Sequence, residues 1–278
     1  MRLSKLWFKL WWVVIDRRKW KKGMAAMTPE ERSRLHPCVA HRGWSGAAPE
    51  NTMAAFEMAL REPNVNWMEL DVHLSQDEVP VVIHDGTLKR TTNGKGKVME
   101  CTAEQLGKLD AGSWFSSSYA GEGVPTLAQV LELAAGRCNL NIELKDDGDD
   151  RRILAARTLE TIRSRGMEAD VVITSFEQQL LREVRRADPT IRIGLIIDGN
   201  PPNLIDILKR LDAGYLSIGY THLTPELLRD AAQSGIEVMV WTVNDPANLR
   251  LLTNRPEPFQ ICTNYPDRWV AAVQSKEL

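Results

Sequence analysis

After residue 37, short apolar runs alternate with amphipathic stretches along most of the chain. The apolar runs span four to seven residues, which is typical of buried strands, and several of the stretches between them have helical periodicity. The predicted strands are Cys38–Arg42, Trp67–Val72, Leu140–Leu144, Val171–Ser175, Ile191–Ile197, Tyr215–Ile218, Glu237–Thr242 and Gln260–Thr263. The predicted helices are Asn51–Arg61, Asp150–Arg165, Gln178–Ala187, Leu204–Leu211, Pro225–Ser234 and Pro246–Thr253. This alternation predicts an α/β fold, a closed parallel (β/α)8 TIM barrel; an open doubly wound sheet is the alternative, although no GxGxxG pattern follows the first strand.

A ninth apolar run, Val79–His84, follows Val72 after only six residues. A parallel crossover needs about a dozen residues or more, so this run is predicted to fold back as an antiparallel hairpin arm that turns at residues 76–78. The arm would leave the top of the second strand and return to it. His84 is therefore expected close to the level of Asp71.

The segment from about residue 86 to residue 125 departs furthest from the alternation of strands and helices. It contains one short predicted helix, Ala103–Leu109, and is interpreted as an inserted loop or cap over the barrel mouth. Ahead of the barrel, Thr28 followed by Pro29 and Glu31 predicts the start of a short helix with a capped first turn. We therefore place a linker helix at residues 25–36 and the barrel at residues 37–278.

The first residues differ from the rest in charge and aromatic content. Residues 1–22 hold eight Lys/Arg and one acid, a net charge of +7, and four of the nine tryptophans lie in the first twenty residues; the remainder has a net charge of −9. Tryptophan with Lys and Arg is typical of an amphipathic helix in the interface of an anionic membrane, which we predict for residues 1–24. The alternatives are a helix packed on the barrel and a signal or anchor sequence, for which the apolar run Leu10–Ile15 is short.

The overall composition, 43% hydrophobic and 26% charged, is ordinary for a soluble protein that needs no disulfides to hold its core. The four cysteines are scattered without a CxxC pair, so they are interpreted as reduced thiols in a reducing compartment. The expected location is the cytoplasm, with peripheral attachment to the inner face of the membrane.

Charged residues stand at the ends of the first three predicted strands, where barrel enzymes carry catalytic groups. They are His41 and Arg42 on the first strand, Glu69 and Asp71 on the second, and Glu143 and Lys145 on the third. Because side chains at i and i+2 of a strand face the same way, Glu69 shares a face with Asp71, and Glu143 with Lys145. Both faces are predicted to point into the barrel mouth, since Leu70 and Leu144 take the side that packs on helices.

Three converging carboxylates would repel each other and resist desolvation unless a positive charge compensates them. A bound cation resolves this, and oxygen ligands favour one hard divalent ion, Mg²⁺ or Ca²⁺, with Mn²⁺ as a further candidate. The alternative is a salt-bridge cluster in which Arg42 and Lys145 neutralise Glu69, Asp71 and Glu143.

His41 and His84 are the second chemical signal. Two histidines suit the hydrolysis of a phosphodiester, because one can remove a proton from the attacking hydroxyl while the other protonates the leaving alkoxide. Arg42 offers a fork of donors to a phosphate, and Lys145 offers a point charge. A lone histidine on a strand is more often a core residue, but two of only five, both flanked by charge, favour catalysis.

Weaker signals stand at other loop positions. Glu50 is interpreted as a metal ligand or as an anchor for one, or else as the lead-in to a helix that Asn51 or Thr52 caps. Trp241 is placed in the wall of a substrate pocket, with a core tryptophan as the alternative. Asn264 ends the eighth strand, where we expect it to help hold the mouth.

At this point the residues resemble the glycerophosphodiester phosphodiesterase family, within the superfamily of phospholipase C-like phosphodiesterase barrels, over about residues 37–271. The matching motifs are His41-Arg42-Gly43, Pro49-Glu50-Asn51-Thr52, Glu69-Leu70-Asp71-Val72, His84-Asp85, Asn141-Ile142-Glu143-Leu144-Lys145 and Trp241-Thr242-Val243-Asn244. Each motif is weak alone, and the ordered set is specific. The resemblance implies a barrel with an insertion after the second strand and one divalent metal bound through Glu69, Asp71 and Glu143.

The resemblance also implies that His41 and His84 carry the acid/base chemistry, with Arg42 and Lys145 near the phosphate. The expected reaction releases sn-glycerol 3-phosphate and an alcohol, by attack of the glycerol 2-hydroxyl on phosphorus and opening of the cyclic product by water; His41 is favoured as base and His84 as acid. One alternative is a membrane-associated lysophospholipase D or other phospholipid-diester hydrolase of the same superfamily. Another is a non-catalytic barrel that binds phosphate or lipid. No nucleic-acid partner is expected.

Overall fold

The computed structural model describes residues 27–146 and 150–275, and their strands form a closed parallel barrel. The strands are β1 Cys38–His41, β2 Val65–Leu74, β3 Pro80–Val82, β4 Asn139–Leu144, β5 Val171–Ser175, β6 Ile193–Ile197, β7 Tyr215–Gly219, β8 Glu237–Trp241 and β9 Gln260–Thr263. All of them except β3 belong to the barrel, which closes because β1 pairs with both β2 and β9. The predicted (β/α)8 barrel is confirmed.

Helices follow most of the strands. They are α1 Pro29–Leu35, α2 Met53–Leu60, α3 Ala103–Gly107, α4 Leu127–Ala134, α5 Arg151–Ser164, α6 Gln178–Ala187, α7 Leu204–Leu211, α8 Pro225–Gln233, α9 Pro246–Thr253 and α10 Pro266–Gln274. Two of them, α4 and α10, were not predicted. The sequence contains their start signals, because Thr126 and Gln129 cap α4 reciprocally and α10 begins with Pro266.

The hairpin arm lies where the short connection predicted it. Val72 pairs with Val82 in antiparallel register, and the amide of Ile83 donates to the carbonyl of Asp71 over 3.1 Å. His84 is the next residue, so the arm β3 returns it to the end of β2, as predicted. His84 thus reaches the mouth from outside the eight barrel strands.

Two apolar layers hold the barrel. Outward-facing strand residues such as Leu70 and Leu144 lie in the main core together with the apolar faces of the helices. An inner cluster forms a floor inside the barrel and consists of Val39, Trp67, Val172, Tyr215, Met239 and Cys262. A Cβ at Gly194 would come within 2.8 Å of Tyr215, so glycine makes room for this ring. Inward-facing residues further along the strands therefore stand above an apolar floor.

Residues 86–125 form a small lobe beside the hairpin arm. Its core consists of Val81, Ile83, Leu88, Val98, Leu106, Ala111 and Val124. The hydroxyl of Tyr119 donates to the carbonyl of Ala47, and the carboxylate of Glu122 accepts from the amide of Ala54, so the lobe is fastened to the β1–α2 region. No described residue of the lobe lines the cavity at the barrel mouth. The segment is therefore an inserted lobe that packs against the hairpin arm.

The linker helix α1 begins as predicted, because Thr28 and Glu31 cap it reciprocally. It packs at the C-terminal end of α10, where the guanidinium of Arg32 donates to the carbonyl of Val273 over 3.2 Å. The amphipathic segment predicted at residues 1–24 lies outside the described residues. Among the helices in the described ranges, none combines the length and the apolar character needed to cross a bilayer.

Candidate active site

The loop after β1 turns sharply because two consecutive residues are left-handed. Arg42 has a φ of 56° and Gly43 a φ of 76°. A Cβ at Gly43 would lie 2.6 Å from the backbone of Ala55, so both conformation and space require glycine. The turn places the backbone amide of Arg42 3.1 Å from the carboxylate of Glu69. It also places the side-chain Nε of Arg42 3.0 Å from Oδ2 of Asp71.

Glu69, Asp71 and Glu143 converge above the apolar floor. The register of β2 with β4 places Asp71 directly beside Glu143, two residues above the pair formed by Glu69 and Asn141. One oxygen of each carboxylate lies within 4.8 Å of the other two, and all three residues are buried. Because its donors are all carboxylate oxygens, the set fits the hard divalent cation predicted for it.

Asp71 is the most heavily bonded of the three carboxylates. Nζ of Lys145 lies 2.9 Å from Oδ1 and Nε of Arg42 lies 3.0 Å from Oδ2, while the side-chain amide of Asn51 donates a hydrogen bond to Oδ2 at 2.8 Å. Lys145 also lies 2.5 Å from Glu143. The alternative salt-bridge cluster is therefore present in part: Arg42 and Lys145 pair with Asp71 and Glu143, but no ion pair among the described residues joins either cation to Glu69. The three carboxylates exceed the two cations by one negative charge when all are ionised.

Burial and the charge of a neighbouring carboxylate raise the pKa of two carboxyls. Burial raises the pKa of Glu143 to about 7, and the negative charge of Asp71 adds to the rise. Burial and the same neighbour hold the pKa of Glu69 well above its usual value. For Asp71 burial acts in the same direction, but the charges of Arg42 and Lys145 outweigh it and lower the pKa. A divalent cation would remove the excess charge, which is a second reason why these residues fit one.

His41 lies in the cavity wall and is oriented by Asn264, which follows β9. Its Nδ1 lies 2.6 Å from Oδ1 of Asn264, and its Nε2 lies 3.7 Å from Oε2 of Glu69. Because a carbonyl oxygen only accepts, Nδ1 carries the proton and Nε2 keeps its lone pair. Burial, with the charge of Arg42, lowers the pKa of His41 to about 4, so the ring is neutral at neutral pH.

His84 faces the same cavity with a carboxylate behind it. Its Nδ1 lies 2.6 Å from Oδ1 of Asp85, and the carbonyl of His84 accepts from Nε2 of His73 at 3.1 Å. Burial lowers the pKa of His84, and the negative charge of Asp71 opposes that change. A carboxylate behind an imidazole stabilises the protonated ring, which suits His84 to proton donation.

Both histidines and most of the charged side chains line one cavity of about 160 Å³ at the carboxyl ends of the strands. Its charged wall consists of His41, Arg42, Glu69, His84, Glu143 and Lys145. Across the barrel, Phe176 and Trp241 line the cavity and meet edge to face with their ring centroids 5.9 Å apart. Phe176 is 48% exposed, so the apolar surface continues from the cavity to its rim.

The structure thus gathers the residues that the sequence singled out. Glu50 is the one that stands apart from the grouped carboxylates: it accepts a hydrogen bond from Nη1 of Arg42 at 2.8 Å, so it anchors a neighbour of the cluster. Thr52, not Asn51, caps α2.

Three polar residues that hold site side chains received no role in the chemistry of the site from the sequence. They are Asn51, which holds Asp71, Asp85, which holds His84, and Arg90, which bonds both Glu50 and Asp85. Asn51 and Asp85 stand inside the quoted motifs, where their proximity to Glu50 and His84 was the available signal. Arg90 had no such signal.

The chain is similar in sequence to known phosphodiesterases. The model of the glycerophosphoryl diester phosphodiesterase family matches residues 41–268. A glycerophosphodiester phosphodiesterase of Caldanaerobacter subterraneus is 38% identical over 207 residues, which are 74% of this chain and 85% of that protein. One from Bacillus subtilis is 30% identical over 246 residues, with 82% of this chain and 83% of that protein covered.

Solved structures of similar proteins share the barrel. An Oleispira antarctica phosphodiesterase in complex with the product sn-glycerol-3-phosphate is similar with a TM-score of 0.81 and 30% identity, over 90% of this chain and 100% of that one. A glycerophosphodiester phosphodiesterase from Agrobacterium tumefaciens is similar with a TM-score of 0.75 and 30% identity, over 85% of this chain and 100% of that one.

Proposed function

This chain belongs to the glycerophosphoryl diester phosphodiesterase family, and we propose that it hydrolyses glycerophosphodiesters to sn-glycerol 3-phosphate and an alcohol such as choline or ethanolamine. The observation that carries the proposal is the convergence of His41 and His84 on one cavity with the carboxylates Glu69, Asp71 and Glu143. The similar Oleispira enzyme holds sn-glycerol-3-phosphate as its product, which supports the glycerophosphate half of the substrate.

The two histidines divide the proton transfers. His41 accepts the proton of the glycerol 2-hydroxyl at Nε2 as that oxygen attacks phosphorus, and His84 protonates the alkoxide as its bond to phosphorus breaks. Water then opens the cyclic phosphate with the roles reversed, because His84 is now the base and His41 the acid. The net reaction consumes one water, and both rings return to their starting states.

The cations and the aromatic wall position the substrate. Arg42 and Lys145 stand beside the carboxylates, where their charge attracts the phosphate and opposes the negative charge that develops on it. Trp241, next to Phe176, offers an apolar wall for the carbon skeleton of the glycerol. Glu50 holds the guanidinium of Arg42.

We assign Glu69, Asp71 and Glu143 as the residues that would hold one divalent cation, Mg²⁺ or Ca²⁺, with Mn²⁺ as a further candidate. When bound, the cation supplies Lewis-acid stabilisation of the phosphoryl oxygens. Lys145 and Arg42 pair with Asp71, so this carboxylate is held in place before an ion binds.

The test is product formation by the full chain. The protein is stripped with EDTA, given Mg²⁺, Ca²⁺ or Mn²⁺, and incubated with glycerophosphocholine, glycerophosphoethanolamine or glycerophosphoglycerol. We expect sn-glycerol 3-phosphate in the presence of metal and none after EDTA. Failure to release it from any diester with any of the three ions would refute the substrate assignment, and undiminished activity in EDTA would refute the metal.

A second candidate is a lipid diester, such as a lysophospholipid, cleaved at the inner face of the membrane. The exposed ring of Phe176 favours it, because an apolar rim at the cavity can accept an acyl chain. The basic, tryptophan-rich residues 1–22 would hold the barrel near anionic lipid. In this case the same histidines and carboxylates act on a substrate presented by the bilayer.

A further inference from the structure

Arg90 joins two carboxylates that serve different parts of the site. Its Nε and Nη2 bond the two oxygens of Asp85 at 2.7 and 2.8 Å, and its Nη1 and Nη2 bond those of Glu50 at 3.0 and 2.8 Å. Asp85 bonds Nδ1 of His84, and Glu50 accepts from Nη1 of Arg42. One guanidinium therefore connects the ring of His84 with the guanidinium of Arg42.

The lobe of residues 86–125 fixes the backbone that presents Arg90. Leu88 and Thr91 are buried on either side of it. The amide and the hydroxyl of Thr92 both donate to the carbonyl of Leu88, and the amide of Leu88 donates to the carbonyl of Gly96. A side chain that leaves a fixed turn loses less conformational freedom when it binds its partners, so Arg90 is well placed to hold them.

We propose that Arg90 is a positioning residue for this hydrolysis, which orients His84 through Asp85 without touching the substrate. The proposal rests on the proposed function, because it needs His84 as the group that protonates the leaving oxygen. Oδ1 of Asp85 accepts hydrogen bonds from Nδ1 of His84 and from Nη2 of Arg90. Oδ2 of Asp85 accepts a hydrogen bond from Nε of Arg90. The carboxylate therefore cannot rotate away from the imidazole while Arg90 is in place. The lobe contributes to the active site through this residue.

Two substrates whose leaving oxygens differ in basicity can distinguish a misoriented His84 from a general loss of structure. Choline leaves as a strongly basic alkoxide, whose departure depends on a proton donor. 4-Nitrophenol leaves as a stabilised phenolate, which needs little help. Displacement of His84 should therefore slow the release of choline from glycerophosphocholine and largely spare the release of 4-nitrophenol from the 4-nitrophenyl ester of glycerol 3-phosphate. The difference belongs to this first step, because both substrates share the later opening of the cyclic phosphate by water.

The experiment compares Arg90→Lys with the unmodified protein on these two substrates, with metal present, by KM and by the rate at which choline or 4-nitrophenol is released in the first turnover. Lysine keeps the charge and loses the fork that bonds both carboxylates. We expect the first-turnover release of choline to slow about 10- to 100-fold with little change in KM, because a poorly placed donor forfeits much of its rate contribution. We expect the first-turnover release of 4-nitrophenol to slow by a factor at least several times smaller.

Arg157→Lys is the matched control. Arg157 also bridges two carboxylates, Glu78 at 2.7 Å and Glu160 at 3.1 Å, and its side chain is 47% exposed, against 42% for Arg90. Glu78 is at the turn of the hairpin arm, so this variant also tests whether loosening the arm far from His84 matters. We expect both substrates to be cleaved at the rate of the unmodified protein.

A second variant guards against a folding defect. Arg90→Ala leaves a gap that added guanidinium can enter, since the arginine side chain is partly exposed. Guanidinium at concentrations that leave the thermal melting temperature unchanged should restore part of the glycerophosphocholine rate, and methylammonium should not. A structural defect would not discriminate between these two cations.

His84→Ala is measured beside them to separate the possible failures. If His84→Ala loses more activity on glycerophosphocholine than on the nitrophenyl ester but Arg90→Lys does not, the role of Arg90 is overturned and the proposed function stays intact. Equal losses on both substrates in Arg90→Lys, or a change in KM alone, overturn that role as well. If His84→Ala loses the same activity on both substrates, the assignment of His84 as acid fails and the inference about Arg90 fails with it. If the unmodified protein cleaves neither substrate, the proposed function and the role of Arg90 are both refuted.

Discussion

Nδ1 of His41 lies 2.6 Å from Oδ1 of Asn264, although 223 positions separate the two residues. Closure of the barrel between β1 and β9 brings them together. Asn264 is itself held in place, because its amide donates to Oδ1 of Asn244 at 2.9 Å and its carbonyl accepts from the amide of Gly46 at 2.8 Å. His41 is therefore fixed in one tautomer, with Nε2 available to a substrate proton.

Asn264→Ala should lower kcat for glycerophosphocholine about 10- to 100-fold, because His41 loses the bond that sets its tautomer and its ring orientation. Asn254→Ala is the control: its side chain also makes one bond to a carbonyl, that of Arg250, at the end of α9 away from the cavity. Steady-state kinetics of the two variants check the prediction. Equal, small effects would contradict an orienting role for Asn264.

His41→Ala and His84→Ala should each reduce kcat by about 10²- to 10⁴-fold, the usual contribution of a positioned acid or base. His222→Ala provides the comparison, because this histidine pairs with Asp198 at 3.1 Å and does not line the cavity. Near-normal turnover in both site variants would overturn the assignment of the two histidines as acid and base. A barrel that only binds phosphate or lipid would instead bind sn-glycerol 3-phosphate, measured by calorimetry, while the unmodified protein shows no turnover.

Glu69→Gln and Glu143→Gln should raise the concentration of Mg²⁺ or Ca²⁺ needed for half-maximal activity by at least about 10-fold, because each removes an anionic oxygen from the buried cluster. Glu237→Gln is the control, since Glu237 stands at the opposite end of the barrel, and burial likewise raises its pKa. Metal titration of EDTA-treated protein is the measurement. An unchanged metal requirement in both cluster variants would remove these residues as ligands.

The stability of the fold should decrease as pH falls, in part because of His36. This ring is buried, its Nε2 lies 2.8 Å from the carbonyl of Arg255, and burial lowers its pKa from 6.5 to about 4. Below pH 6.5 the unfolded chain binds a proton that the folded chain does not, so folding stability is lost until the pH reaches about 4. The full loss from this residue is about 3 kcal/mol.

Urea unfolding of the unmodified protein and of His36→Gln at about pH 7.5 and about pH 4.5 measures that contribution. The variant is expected to be less stable at the higher pH, since packing against Phe259 changes, but to lose less stability on acidification. Other titrating groups affect both proteins alike and cancel in the difference. The same loss in the two proteins would show that His36 does not carry the effect.

Deletion of residues 1–24 should weaken binding to vesicles that contain anionic lipid, because it removes a segment with a strong positive charge and four tryptophans. Cleavage of glycerophosphocholine in solution should remain, and cleavage of a lysophospholipid in vesicles should fall. Vesicle co-sedimentation and the two assays check this. Unchanged vesicle binding and unchanged lipid cleavage would leave the segment without a membrane role.

Much of the site followed from local patterns. The i and i+2 spacing of Glu69 with Asp71 placed both carboxylates on one face, and six residues between Val72 and Val79 required a hairpin rather than a crossover. Both features depend only on strand geometry, so no partner had to be known. Element ends were less accurate, because pairing decides where a strand stops: Trp67–Val72 was predicted and Val65–Leu74 is found.

The sequence by itself determined the barrel, the strand ends that carry charge, and the pair of histidines, because periodicity and spacing are local properties of the chain. Only the tertiary structure decided which side chains hold them. Asn264 reaches His41 through barrel closure, and Arg90 reaches Glu50 across forty positions from a lobe that packs against the hairpin arm. Such contacts depend on how distant segments pack: the sequence placed Asn264 at the mouth without identifying His41 as its partner, and Arg90 looks locally like any other loop residue.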